Sequence, residues 1–315
     1  MSSNSKEGFL GACGSLLGLT TIAVGLRFYA RKKTHVPVMA DDILAVASWI
    51  TFIGAAIIPI LMVYHHMIGY SLSPAIAGEL SLMLQIVWDV LGTTSLACSK
   101  LSALFFYRRI FCVGGKEHWF HKCIIGTIVV VVLWLVVFQF LTSFQCGMHF
   151  SAARDGNHEK YCTLSFPYLY GFAISDFLLD IWILSLPVPR VLQLNATFSK
   201  KLAILGIFFL TFIGVFASGA RMVLYIESER GGPSYFINYD EERVLTVIFF
   251  YTVLELGVSL ISINLPSLWF FVPSISPGMI LRIISSKLSF SSLRSRKEKI
   301  TNERRSYDSS NLSQV

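Results

Sequence analysis

The sequence predicts an all-α fold, a polytopic membrane protein built as a seven-transmembrane-helix bundle. Three observations carry that prediction. First, seven long apolar stretches occupy residues 8–26, 43–64, 80–106, 123–144, 164–186, 202–226 and 244–272. Each reaches or nearly reaches the roughly 20 residues that a helix rising about 1.5 Å per residue needs to cross a hydrocarbon core of about 30 Å. Second, runs such as 124–138 are apolar on every helix face and do not alternate as the strands of a membrane barrel would. Third, basic residues gather on alternate connections. Composition agrees, because 54% hydrophobic and 14% charged residues with a mean hydropathy of +0.63 exclude a water-soluble chain of 315 residues.

The first stretch is followed, not preceded, by Arg27, Arg31, Lys32 and Lys33, and no small-residue cleavage site leads into a polar domain. It reads as an uncleaved reverse signal-anchor, and residues 1–7 as a short outer segment without room for a separate ectodomain. The second stretch opens just after Asp41 and Asp42. The third carries Asp89 and Lys100 and ends in Arg108 and Arg109, with Lys116 and Lys122 ahead of the fourth. The fourth leads into a polar loop holding Arg154 and Lys160. The fifth contains Asp176 and Asp180 and is followed by Arg190, Lys200 and Lys201. The sixth contains Arg221 and runs into a loop with Arg230 and Arg243. The seventh contains Glu255 and then Asn264-Leu-Pro266, where proline loosens a helix. Residues 8–272 thus form the membrane domain. In 273–290, Met279, Ile280, Ile283, Ile284 and Leu288 recur at helical spacing beside Arg282 and Lys287, which predicts an amphipathic helix on the membrane surface. Residues 291–315 are Ser-rich and charged, a disordered cytoplasmic tail open to phosphorylation.

With the N-terminus outside, 19 Lys and Arg fall on the cytoplasmic segments, eight of them between Arg282 and Arg305, against five on the outer ones. Basic residues resist translocation, so the expected orientation is N-terminus outside and C-terminus cytoplasmic. The net charge of +7 and pI of 9.1 are then a cytoplasmic-face signature suited to anionic lipid, not to nucleic acid. No internal repeat is visible, and no matching pair of broken spans points to an inverted-repeat transporter.

Of six cysteines, only Cys146 and Cys162 fall on the outer side, both in the loop between the fourth and fifth spans. An oxidising compartment favours a disulfide there, with two free thiols near the interface as the alternative. Cys13, Cys98, Cys112 and Cys123 lie in spans or at the reducing face, and the sequon at Asn195 falls on a cytoplasmic loop, where it stays unglycosylated.

Charges inside spans point to a functional interior, because each costs about 2.5 to 3.5 kcal/mol on insertion scales unless it is paired or hydrated. They are Asp89, Lys100, Asp176, Asp180, Arg221 and Glu255. Asp176 and Asp180, four apart, share one helix face. Depth along the spans suggests a Lys100/Asp180 pair toward the cytoplasmic side and a separate Arg221 cluster with Asp89 or Glu255 above it. Two roles fit these residues: glue between helices, or an intramembrane polar network that contacts a ligand or ion.

Enzyme signatures are missing. All seven histidines fall outside the apolar stretches, His118 and His121 on a cytoplasmic loop and His65, His66, His149 and His158 on outer ones, so no intramembrane metal site is expected. There is no nucleophile elbow, zinc-hydrolase helix or phosphate loop. No catalysis and no cofactor are expected. The seventh span has no Lys, which removes the usual Schiff-base anchor for retinal.

The segment Lys100-Leu-Ser-Ala-Leu-Phe-Phe-Tyr-Arg-Arg-Ile-Phe111 resembles the Lys-Leu-Ser-x-x-x-Phe-Tyr-x-Arg-x-Phe element of the fungal rhodopsin-like domain family of seven-span membrane proteins. Further matches follow in order: Asp41-Asp42, Cys162, Asp176 and Asp180, Leu186-Pro-Val-Pro189, Lys201-Leu202, Gly214, Arg221, Glu255 and Leu265-Pro266. The likeness covers about residues 10–272. Three departures lie mostly on the outer face: Met39-Ala40 replaces Gly-Trp before the acidic pair, a Gly-x-Gly-x-His element is altered around His65, and Gly147-Met148 follow the first outer-loop Cys. The resemblance implies a receptor-like bundle in a fungal membrane, by preference the plasma membrane, sensing an outer cue whose ligand it does not name. Tyr107, Arg108 and Arg109 stand where G-protein-coupled receptors carry an Arg triplet, so they are candidates for coupling to a G protein or other cytoplasmic partner, with positive-inside anchoring as the plain alternative. A second functional class is a transporter or channel that uses Asp176, Asp180 and Glu255 as an ion or proton path. A third is a scaffold without a small ligand.

Overall fold

The structure, a computed structural model, describes residues 6–65, 79–112, 118–144, 147, 165–189, 208–227 and 241–268. The chain divides into two units, Met1–Leu268 and Trp269–Val315, and only the first contains described residues. The surface helix expected in 273–290, the tail 291–315, Cys146 and Cys162 therefore lie outside them.

Among the described residues there are seven helices long and apolar enough to span a membrane, and no strand. They are α1 (Lys6–Lys33), α2 (Ala40–Tyr64), α3 (Glu79–Phe111), α4 (His118–Ser143), α5 (Ser165–Ser185), α6 (Phe208–Glu227) and α7 (Glu241–Leu268). The all-α seven-helix fold is as the sequence predicts. At their C-terminal ends two helices outrun their apolar stretches by a turn or more, because basic side chains continue a helix as readily as apolar ones: α1 extends through Arg31, Lys32 and Lys33, and α3 through Arg108 and Arg109 to Phe111. The histidine reading needs one correction. Helix α4 begins at His118, so His118 and His121 are in its first turns and not on a loop.

Helices α3 and α7 form the buried axis, whereas α4 and α6 are mostly peripheral. Helix α2 packs along α3, α1 along α7, and α4 bridges α3 and α5. Exposed Leu133, Val136, Val137 and Phe140 on α4, with Phe209, Phe212 and Phe216 on α6, form apolar outer faces suited to lipid. Inside, hydroxyl groups knit helices together. Ser48 Oγ on α2 lies 2.7 Å from Ser99 Oγ on α3, and Ser95 Oγ donates to the Ser48 carbonyl at 3.0 Å. Gln139 on α4 donates to Thr94 Oγ1 at 2.8 Å, and Trp134 to Ser175 Oγ at 2.9 Å. Such bonds suit an apolar surround in which a polar group has no water to turn to. Glycine permits the closest approach: a Cβ on Gly257 of α7 would sit 2.9 Å from a Leu16 methyl and 3.1 Å from its Cβ.

The turn from α1 to α2 positions charge. His35 has φ 52°, Val36 N–H donates to the Arg31 carbonyl at 3.2 Å and His35 N–H to the Lys32 carbonyl at 3.4 Å, the pattern that closes helices on a left-handed residue. The chain folds back at once, so the arginines ending α1 face the acids opening α2. Each set also complements its helix dipole.

Candidate functional site

Among the described residues there are two buried charge networks. The central one joins four helices. Lys100 of α3 forms ion pairs with Asp180 and, at 3.2 Å, with Asp176 Oδ1, both on α5. Asp176 Oδ2 accepts from Arg221 Nη2 of α6 at 2.5 Å, and the same Nη2 lies 3.1 Å from Glu255 Oε2 of α7. Asp176, Arg221 and Glu255 are essentially inaccessible, and Asp180 is 16% exposed at the margin of the cluster. The Arg221 guanidinium also lies 5.2 Å from the centre of the Phe172 ring, an added cation–π contact. Spacing explains the geometry: Asp176 and Asp180, four apart on α5, present both carboxylates to one cation on α3.

The expectation of two separate clusters is thus corrected. Lys100/Asp180 and Arg221/Glu255 form as expected, but Asp176 accepts both cations and fuses them into one cluster. Asp89, the other partner considered for Arg221, forms no ion pair among the described residues. The depth assignment changes as well, because α3 continues and Lys100 stands eleven positions before its end at Phe111.

The second network lies at the basic end of the bundle. Arg27 is completely buried: its Nε donates to Asp42 Oδ1 at 2.7 Å, its Nη2 to Asp41 Oδ2 at 2.8 Å and its Nη1 to the Ile263 carbonyl of α7 at 2.8 Å. Arg31 repeats the fork at 2.8 Å to Asp41 and 3.1 Å to Asp42. Ser102 of α3 donates to the Asp41 carbonyl at 2.7 Å, and Arg109 Nη1 lies 3.6 Å from Asp41 Oδ2. The planar guanidinium holds its donors in a fixed fork, one for each carboxylate and one for the carbonyl, where the compact ammonium of Lys would have to bring all three acceptors to a single atom. Counting Arg27, Arg31 and Arg109 as charges that merely hold the membrane boundary misses this network. Two adjacent acids near Arg27, Arg31, Lys32 and Lys33 invite pairing, but they do not say which cation takes them or that one is wholly buried. Of the proposed coupling residues, Arg108 is exposed, Arg109 turns toward Asp41, and the Tyr107 ring packs near Phe111.

A model of the fungal rhodopsin domain matches residues 26–273. The chain belongs to the fungal rhodopsin domain family. No curated protein and no solved structure matches it. The family match includes both charge networks of this fungal rhodopsin domain, from Arg27 to Ile263. It also agrees with the resemblance read from Lys100 to Phe111.

Among the described residues one cluster has metal-ligand spacing: carboxylate atoms of Asp176, Asp180 and Glu255 lie within 4.8 Å of one another. Lys100 and Arg221 already stand against those carboxylates, so the arrangement suits charge pairing more than a metal ion. Lys100→Met alone strands Asp180, whose cation is Lys100, whereas Asp176 keeps Arg221. The expected result is a clear fall in melting temperature in bilayer nanodiscs, with Lys100→Met/Asp180→Leu recovering much of it. Breaking buried pairs costs about 3–5 kcal/mol in soluble proteins, and removing both partners is often tolerated. Simple addition of the single effects would show that the two residues are not coupled.

Proposed function

We propose that the chain is a receptor-like membrane protein that senses a cue on the outer side and relays a change of state to the cytoplasm without catalysis. The observation that carries this reading is that α3 and α7 belong to both charge networks. Lys100 and Glu255 sit in the central one, and Ser102, Arg109 and the Ile263 carbonyl at the basic end. A shift of either helix that rearranges the first must act on the second, which gives a two-state element that ligands on one side and partners on the other can bias. A G protein or another cytoplasmic signalling protein is the proposed partner at the basic end, and the plasma membrane the proposed location.

The proposed orientation places the basic end in the cytoplasm. In intact cells a tag after Val315 is expected to resist external protease while one between Arg154 and Lys160 is cut; a cut C-terminal tag would reverse the orientation. Cys146 and Cys162 are proposed to form a disulfide, so both are expected to resist alkylation until reductant is added. Labelling of both in the unreduced folded protein would refute the bridge.

A transporter reading rests on the same buried acids. The discriminating experiment pairs ion and proton flux through reconstituted liposomes with G-protein recruitment in cells. Recruitment that changes with Arg109→Ala, without flux, is the expected result. Flux that depends on Asp176 and Glu255, without recruitment, would replace the receptor with a transporter.

A further inference from the structure

The central cluster contains three carboxyl groups, those of Asp176 and Glu255 fully buried, and two cations, so with every group ionised it carries one uncompensated negative charge. An unpaired charge at such a depth is disfavoured strongly enough that the group takes up a compensating charge instead. We propose that the cluster binds one proton, shared between Glu255 and Asp176.

Hydrogen bonding singles out Glu255. Asp176 Oδ2 accepts from Arg221, and Asp180 accepts from Lys100. Both Glu255 oxygens are buried and have no hydrogen-bond partner among the described residues, although Oε2 lies 3.1 Å from Arg221 Nη2. Asp176 Oδ1 likewise has no hydrogen bond among the described residues and lies 3.2 Å from Lys100 Nζ. An ionised carboxylate only accepts, so two such groups side by side cannot satisfy one another. Protonated Glu255 donates to Asp176, gains a partner and brings the cluster to neutrality. The arrangement resembles two carboxyl groups sharing one proton where both cannot ionise together.

The surroundings favour a proton over a metal ion. Facing Glu255 are Lys100 from α3, Asp176 and Asp180 from α5, and Arg221 from α6, while Asp89 and Tyr225 lie further out around Arg221. From α1, Leu16 packs on the neighbouring Gly257, and Arg27 contacts α7 two turns away at Ile263. A divalent ion would overcharge the cluster against two cations already in contact, whereas one proton neutralises it. This binding is independent of whether the bundle signals or transports.

The test uses the full chain in nanodiscs. Infrared spectra at neutral pH are expected to show the carbonyl band of a protonated carboxylic acid, lost in Glu255→Gln. The folded state then holds a proton that an unfolded glutamate lacks at neutral pH, so stability falls as pH rises. The folded-to-unfolded ratio is expected to drop by up to about tenfold per pH unit for this one proton, and Glu255→Gln, which stands for the neutral acid, to fold and lose that slope. Exchanging sodium for choline at constant ionic strength is expected to leave the slope unchanged. Absence of the band, a band that survives Glu255→Gln, failure of Glu255→Gln to fold, or stabilisation by sodium in place of the pH slope would each overturn the proposal.

Discussion

Replacing Arg221 with Met is expected to destabilise the bundle more than any other single change in the central cluster. Arg221 is fully buried and serves Asp176 and Glu255 at once, so its loss leaves three carboxyl groups to Lys100 alone. The cation–π contact with Phe172 is lost as well. Orphaning a buried ion partner costs about 3–5 kcal/mol in soluble proteins, moderated in a bilayer by water entry and helix movement. The expected readout is a large loss of folded yield and a lower melting temperature in nanodiscs, partly restored by adding Asp176→Asn. Retention of wild-type stability would mean that Arg221 does not hold α5 to α7.

A comparable effect is expected at the other network. Arg27→Met removes two charge-assisted bonds to Asp41 and Asp42 and the one to the Ile263 carbonyl, separating α1 from α2 and α7 together. Arg31 forms the same fork from a position that is 10% exposed and has no described bond to α7. Arg31→Met should therefore fall well short of Arg27→Met in its effect on melting temperature. Equal effects would indicate that the α7 carbonyl adds nothing and that the network is a local clasp of α1 and α2.

The bundle was legible because a bilayer imposes a length and a composition that can be read directly from the chain. Its boundaries were less so, since Arg31 and Arg109 extend helices past the point where apolar residues stop. Buried Lys100, Arg221 and Glu255 announced themselves by being charged within apolar runs. Depth alone could not assign partners, because α3 runs eleven positions beyond Lys100 and Asp176 has two oxygens facing different cations. The network at Arg27 was hidden for another reason. Arginine beside a membrane boundary is ordinary, and nothing in local spacing distinguishes one that anchors from one that is wholly buried against an acid pair and a distant carbonyl.

The link between networks also gives the receptor reading a physical form. In residue numbers, Lys100 and Ser102 stand two positions apart on α3, one in each network, and Glu255 and Ile263 lie about two turns apart on α7. Motion of α3 along its axis would strain ion pairs in both networks, and motion of α7 the Arg221–Glu255 pair together with the Arg27 bond to the Ile263 carbonyl.

The central claim is that the interior charges form one cluster and not two. It is tested most directly by a double-mutant cycle of Lys100→Met and Arg221→Met, read as unfolding stability in nanodiscs. The two residues share Asp176, each pairing with one of its oxygens. A shared carboxylate predicts a coupling of about 0.5–3 kcal/mol between the two changes. Effects that add to within about 0.3–0.5 kcal/mol, as independent sites do, would contradict the single cluster.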